Sequence, residues 1–183
     1  MIWQLPVEAV IGGKTYPLHC DFRDMLEIIS YFEDPDLPDF LKWEIALALF
    51  YEGELPREDY REAMDYLQQF LAYGDTAPAG AKLLDWEQDA QAILADVNKV
   101  AGQEIRNLPF VHWWTFLSWF HGIGEGQLSS RVALRQKLRK GEKLEPWEQE
   151  YYRENKALID LKPRYSREEL AEKKRLEKLL GIL

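Results

Sequence analysis

Phe110-Val111-His112-Trp113-Trp114-Thr115-Phe116-Leu117-Ser118-Trp119-Phe120 is the stretch whose reading decides the fold. Eight of its eleven residues are large and apolar, and the three exceptions, His112, Thr115 and Ser118, recur at every third position. A helix that is apolar nearly all round belongs at the centre of a core. The spacing therefore predicts a central helix starting after Pro109, with one narrow polar seam facing other buried polar groups or the surface. Trp113, Trp114, Phe116 and Phe120 are its expected aromatic core.

Working outward, the neighbouring segments carry helical periodicity with clear stops. Upstream, Leu84 to Val100 repeats Trp86, Ala90, Ile93, Leu94, Val97 and Val100 on one face, with Asp85, Asp89 and Asp96 on an adjoining arc. At 100° per residue Asp89 falls at the edge of the apolar stripe, so its partial burial is expected. Before that come three more helices. Asp21 caps one with Phe22, Met25, Leu26, Ile29 and Phe32 aligned, and Asp34-Pro35-Asp36-Leu37-Pro38 breaks it. The next, Pro38 to Tyr51, is apolar on a wide arc from Phe40 to Phe50 and is expected to be central. Pro56 opens a third, with Tyr60, Ala63, Met64, Leu67, Phe70 and Leu71 in line, Gly74 at its end and a small-residue loop over 75–82. The first twenty residues read as strand: Val7 to Ile11, a Gly12-Gly13 turn, then Thr15 to His19, with Pro17 confining the second strand to an edge or bulge.

Downstream, Gly122 to Gly126 breaks the pattern. Ser129 or Ser130 is the expected cap of a basic helix ending at Lys140. Residues 145–161 align Trp147, Tyr151 and Leu158. Ser166 with Glu169 three residues on forms a capping box for a last helix. Its Leu176, Leu179, Leu180 and Leu183 make a short apolar edge, a candidate partner-binding surface. The fold class is thus mostly α: an acidic multi-helix domain with an N-terminal β-hairpin over residues 1–141, and a basic helical extension over 142–183.

Composition bounds what such a chain does. With 183 residues, 46% of them hydrophobic and 13% aromatic, it has the material for a core without disulfide or metal. No apolar run approaches the ~18 residues of a membrane span. Met1 to Pro6 has no basic region followed by an apolar stretch, so no signal peptide is expected, and the single Cys20 fits a reducing cytosol. The net charge of −9 argues against general nucleic-acid binding. It is uneven: residues 1–130 carry a net −14 and residues 131–183 a net +5. That asymmetry, with Trp147, Tyr151, Tyr152 and Tyr165 among the bases, keeps a nucleic-acid-binding or regulatory role for the C-terminal third as an alternative.

The sequence carries no phosphate loop, no zinc-ligand spacing and no nucleophile elbow. Gly122-Ile123-Gly124-Glu125-Gly126 follows a helix and lacks the third glycine of a dinucleotide fingerprint. His112 and His121 lie nine residues apart, about 180° around a helix, and cannot share an ion from one helix. No catalytic, cofactor or metal residue is therefore assigned. Asp89 and His112, both at polar edges of apolar helices, are expected to form a structural hydrogen-bonded pair; an uncharacterised enzyme using that pair for acid–base chemistry is the sharper alternative.

Several landmarks in order give a resemblance. They are Trp3-x-Leu5-Pro6, Asp21-Phe22-Arg23, Asp89-x-x-x-Ile93, His112-Trp113-Trp114-x-Phe116 and Leu134-Arg135. With these the chain resembles the gene-product-fifteen family of phages and prophages, from the tail-gene region of siphophages of Gram-positive hosts. Val97 stands where the resemblance leads one to expect phenylalanine, and the match loosens beyond residue 145. The resemblance implies a non-enzymatic tail assembly chaperone in the host cytoplasm. Its implied partners are the tape measure protein and the tail-tube protein, and no cofactor is implied.

Overall fold

The computed structural model describes residues 4–74 and 80–179. Of the landmarks, Trp3 lies outside them, as do most of the 75–82 loop, Leu180 and Leu183. The chain divides into two compact units, one of Met1–Leu71 with Pro163–Leu183 and one of Ala72–Lys162. The boundary expected at residue 141 falls inside the second unit.

In the first unit, β1 (Glu8–Ile11) and β2 (Lys14–Pro17) form the predicted antiparallel hairpin. Gly12 and Gly13 turn it at φ of +56° and +77°. Two left-handed residues in succession make one of the two-residue turns that match the strand twist, and glycine adopts that conformation without a Cβ penalty. Pro17 stands opposite Glu8 at the end of the ladder, where no N–H is asked of it. α1 (Phe22–Glu33) starts where Asp21 accepts the Arg23 amide at 2.9 Å, the predicted cap. Its buried arc runs through Phe22, Met25 and Ile28, shifted from the expected Leu26 and Ile29.

α2 (Asp39–Phe50) departs from expectation. It is not central: Ala46, Leu47 and Phe50 are buried, whereas Phe40 is 68% exposed. Cover comes over the C-terminal half, where the Phe50 ring lies 4.9 Å from Phe70 and the Tyr51 hydroxyl donates to the Ala63 carbonyl. Phe70 and Ala63 belong to α3 (Tyr60–Leu71), which follows a short turn opened by Pro56 and buries Ala63, Leu67 and Phe70. The last helix of this unit lies far along the chain, at Arg167–Leu179. It has the predicted capping box: the Glu169 amide donates to Ser166 Oγ and the Ser166 amide to Glu169 Oε2.

The second unit holds α4 (Ala90–Ala101), α5 (Trp113–His121), α6 (Gln127–Lys140) and α7 (Pro146–Ile159), so the last helix is α8. α4 begins at Ala90 instead of Leu84. The Asp85 carboxylate accepts the Glu87 and Gln88 amides, and that local turn competes with a helical start. Beyond the left-handed Gly102, Glu104 accepts from the amide and guanidinium of Arg106, which holds its carboxyl down to about 2. α5 begins at Trp113, because His112 is its cap and lies outside it. α6 begins after Gly126, not at Ser129 or Ser130. In α7 the Trp147, Tyr151 and Leu158 stripe faces solvent, and the buried positions are Glu148 and Ile159.

Candidate functional site

The polar residues of the second unit converge on one face of α4. Asp89 and Asp96 are seven residues apart, two helical turns, so both point the same way. Asp96 reaches the start of α6, where it accepts the Gln127 amide at 3.3 Å and the Leu128 amide at 2.8 Å. A carboxylate there satisfies amides that lack intrahelical partners and complements the positive end of the helix. The approach is close: a Cβ on Gly126 would overlap the Asp96 carboxylate. Ser129 completes the start by accepting the Gly126 amide at 2.9 Å.

Asp89 has no exposed surface. Arg135 of α6 grips it with two donors, Nη1 at 2.6 Å and Nη2 at 2.9 Å, and Arg131, one turn earlier, approaches at 3.5 Å. Its Oδ2 also accepts the Asp85 amide at 3.1 Å. Arg135 then donates to three carbonyls: Ile159 at 2.6 Å, Leu158 at 2.9 Å and Leu83 at 3.0 Å. All five guanidinium donors thereby have acceptors, as a buried cation requires. One side chain of α6 ties the segment before α4, α4 itself and the end of α7.

Asp89 therefore meets two arginines where a histidine was expected. His112 is not among its hydrogen-bond partners. The His112 ring is buried, and its Nδ1 accepts the Trp114 amide at 3.0 Å to cap α5. This arrangement corrects the expected Asp89–His112 pair. Of the polar seam, His112 is buried, whereas Ser118 faces the surface and back-bonds to the Trp114 carbonyl. Of the aromatic core, Trp113 and Phe116 are buried and stacked at 5.5 Å, while Trp114 and Phe120 are half-buried. Trp86 covers Phe120 at 5.1 Å, and Tyr73 meets Trp114 edge-on at 5.2 Å.

Sequence reasoning missed Arg131 and Arg135 as site residues. The signal was there: arginines four apart on a helix with little apolar stripe, where lysine would serve a solvated face equally well. The basic surplus of the C-terminal third is also partly neutralised by ion pairs within the chain. Lys137 pairs with Glu148 at 2.6 Å, Arg164 with Glu33 at 3.1 Å and Arg167 with Asp36 at 3.2 Å. Burial pushes the Cys20 thiol up, which suits a packing residue and not a nucleophile.

Among the described residues no cluster of three metal-binding side chains occurs, and no helix is long and apolar enough to cross a membrane. The candidate partner-binding leucines are partly visible: Leu176 and Leu179 are 48% and 73% exposed on α8, a helix with no buried residue. No curated protein and no solved structure matches the chain. The family described as Bacteriophage Gp15 protein matches residues 1–161, which takes in the hairpin, the α4–α6 network and all of α7 and stops short of α8. With that match over most of its length, the chain belongs to the Bacteriophage Gp15 protein family.

Proposed function

We propose that this chain is a non-enzymatic tail morphogenesis protein, a tail assembly chaperone that binds the tape measure protein, the tail-tube protein or both of its phage. The reading rests on the phage family and on one carrying observation, the state of α8. Thirteen residues form a capped helix that buries none of them and presents Leu170, Leu176 and Leu179 to solvent. Its start is held by ion pairs, Arg167 to Asp36 and Arg164 to Glu33. A helix with apolar side chains and no apolar seat is suited to lie along a second helix. The acid–base alternative finds less support, because Asp89 is enclosed by guanidinium groups and His112 has one ring nitrogen committed to a cap.

The test is co-expression of the chain with the tape measure and tail-tube proteins of the same phage. The expected result is that at least one becomes soluble and co-purifies with it. Leu176→Asp with Leu179→Asp should cut the yield of complex by roughly tenfold while circular dichroism stays unchanged. If both proteins are equally soluble alone and neither co-purifies, the proposal fails.

A further inference from the structure

In an antiparallel ladder, pairs that exchange hydrogen bonds alternate with pairs that do not. The Leu18 amide donates to the Val7 carbonyl at 2.9 Å, so Val7–Leu18, Ala9–Tyr16 and Ile11–Lys14 are bonded pairs. Glu8–Pro17 and Val10–Thr15 are the non-bonded ones. The amides and carbonyls of Glu8 and Val10 consequently point away from β2, along the free edge of β1. β2 has company on its own outer side: the Pro17 carbonyl accepts the Glu52 amide at 2.9 Å, and the His19 amide donates to Phe50 at 2.8 Å. Among the described residues the β1 edge receives one long contact, from the Tyr66 hydroxyl to the Glu8 carbonyl at 3.5 Å. The Val10 amide and carbonyl receive none, and the Val10 side chain is 61% exposed.

An open strand edge is a template for another strand. Beside this one runs a groove of about 450 Å³ between β1 and the outer face of α3. Val10 and Tyr66 supply its apolar part. Glu58, Arg61, Glu62 and Asp65 line the rest, three carboxylates to one guanidinium, and Glu62 accepts the Gly12 amide at 3.0 Å. A second copy pairing edge to edge would set one acidic groove against another, which like-charge repulsion opposes.

We propose that the β1 edge accepts an extended, basic segment of a partner protein as an added strand, with its backbone bonded to Glu8 and Val10 and its lysines or arginines over Glu58, Glu62 and Asp65. Backbone pairing supplies affinity in this mode, and alternate side chains supply selectivity. The inference does not depend on the tail-assembly reading: it concerns a different surface and holds for any partner carrying such a segment.

The probe is a fluorescein-labelled ten-residue peptide alternating lysine and valine, measured by anisotropy against the full chain, with a glutamate–valine peptide as control. The basic peptide should bind, more weakly as salt is raised beyond about 0.15 M, and the acidic one should not. In amide exchange, the peptide should protect Val10. Val10→Pro removes the outward donor and no ladder bond, and it should weaken binding at least about tenfold with circular dichroism unchanged. Glu58→Lys with Asp65→Lys, at surface positions, should move the preference to the acidic peptide even if Val10→Pro folds poorly. The inference is overturned by absence of binding, by equal binding to the charge-reversed protein, or by a dimer in sedimentation that Val10→Pro abolishes, which would make a second copy the occupant.

Discussion

Arg135 makes five hydrogen bonds from five donors, two to Asp89 and three to carbonyls. Removing one partner of a buried charge pair leaves the other uncompensated, typically at a cost of about 3–5 kcal/mol. Arg135→Met should therefore destabilise the chain by that amount in urea titration, since Asp89 would keep only Arg131 at 3.5 Å and the Asp85 amide. Arg135→Lys should recover only part of the loss, because an ammonium carries the charge but cannot present a planar fork together with donors to three carbonyls. A loss below about 1 kcal/mol for Arg135→Met would show that water replaces the guanidinium and that Arg135 does not tie the three segments together. At this scale half of the answer was legible in the sequence. The edge position of Asp89 predicted partial burial, short of the complete burial found, and its arginine partners lie on α6, more than forty residues along the chain. Periodicity treats each helix alone and says nothing about which faces meet.

Helices α6 and α7 are joined by a pair that titrates. Glu148 accepts from Lys137 at 2.6 Å and from the Glu145 amide at 2.9 Å, and these bonds hold its carboxyl below the usual glutamate value of 4.5. A carboxylate with a lowered folded pKa contributes stability above its unfolded value, and that contribution disappears as pH falls through the folded value. The stability advantage of the native chain over Lys137→Met should be complete at pH 6 and shrink below about pH 4.5. Urea midpoints measured from pH 7 to pH 3 check this, and two parallel curves would contradict it. The positions of the helices were legible from apolar spacing, and Asp21 and the Ser166–Glu169 box marked starts correctly. The starts of α5 and α6 were not legible. His112 caps with an imidazole, a residue type outside the usual capping set, and α6 is capped by Asp96 from another helix.

For the whole molecule, the question is where the chain can be cut. The charge change and the fading resemblance predicted a separable extension from residue 142. In the structure Ile159 is fully buried, and the carbonyls of Leu158 and Ile159 receive Arg135. A chain ending at Gly141 should lose its cooperative melt or become insoluble, because Arg135 and the Ile159 site are left open. A chain ending at Pro163 loses only Arg164 to Leu183, including α8 with no buried residue, and should keep a cooperative melt. Circular dichroism melts of the two truncations separate these outcomes. A stable, cooperative 1–141 chain would restore the boundary read from charge.

The sequence by itself determined the helical class, the Gly-Gly hairpin, the apolar face of most helices and the family. These follow from local chemistry: repeat spacing, backbone freedom at glycine and capping residues next to the helices they start. Tertiary structure decided what local pattern does not encode. It chose Arg131 and Arg135 as the partners of Asp89, turned Trp147 outward while burying Ile159, opened the first turn of α2 and left α8 without a seat. An apolar or charged residue states what it needs, either cover or a counter-charge. Which segment meets that need depends on how distant faces fit together.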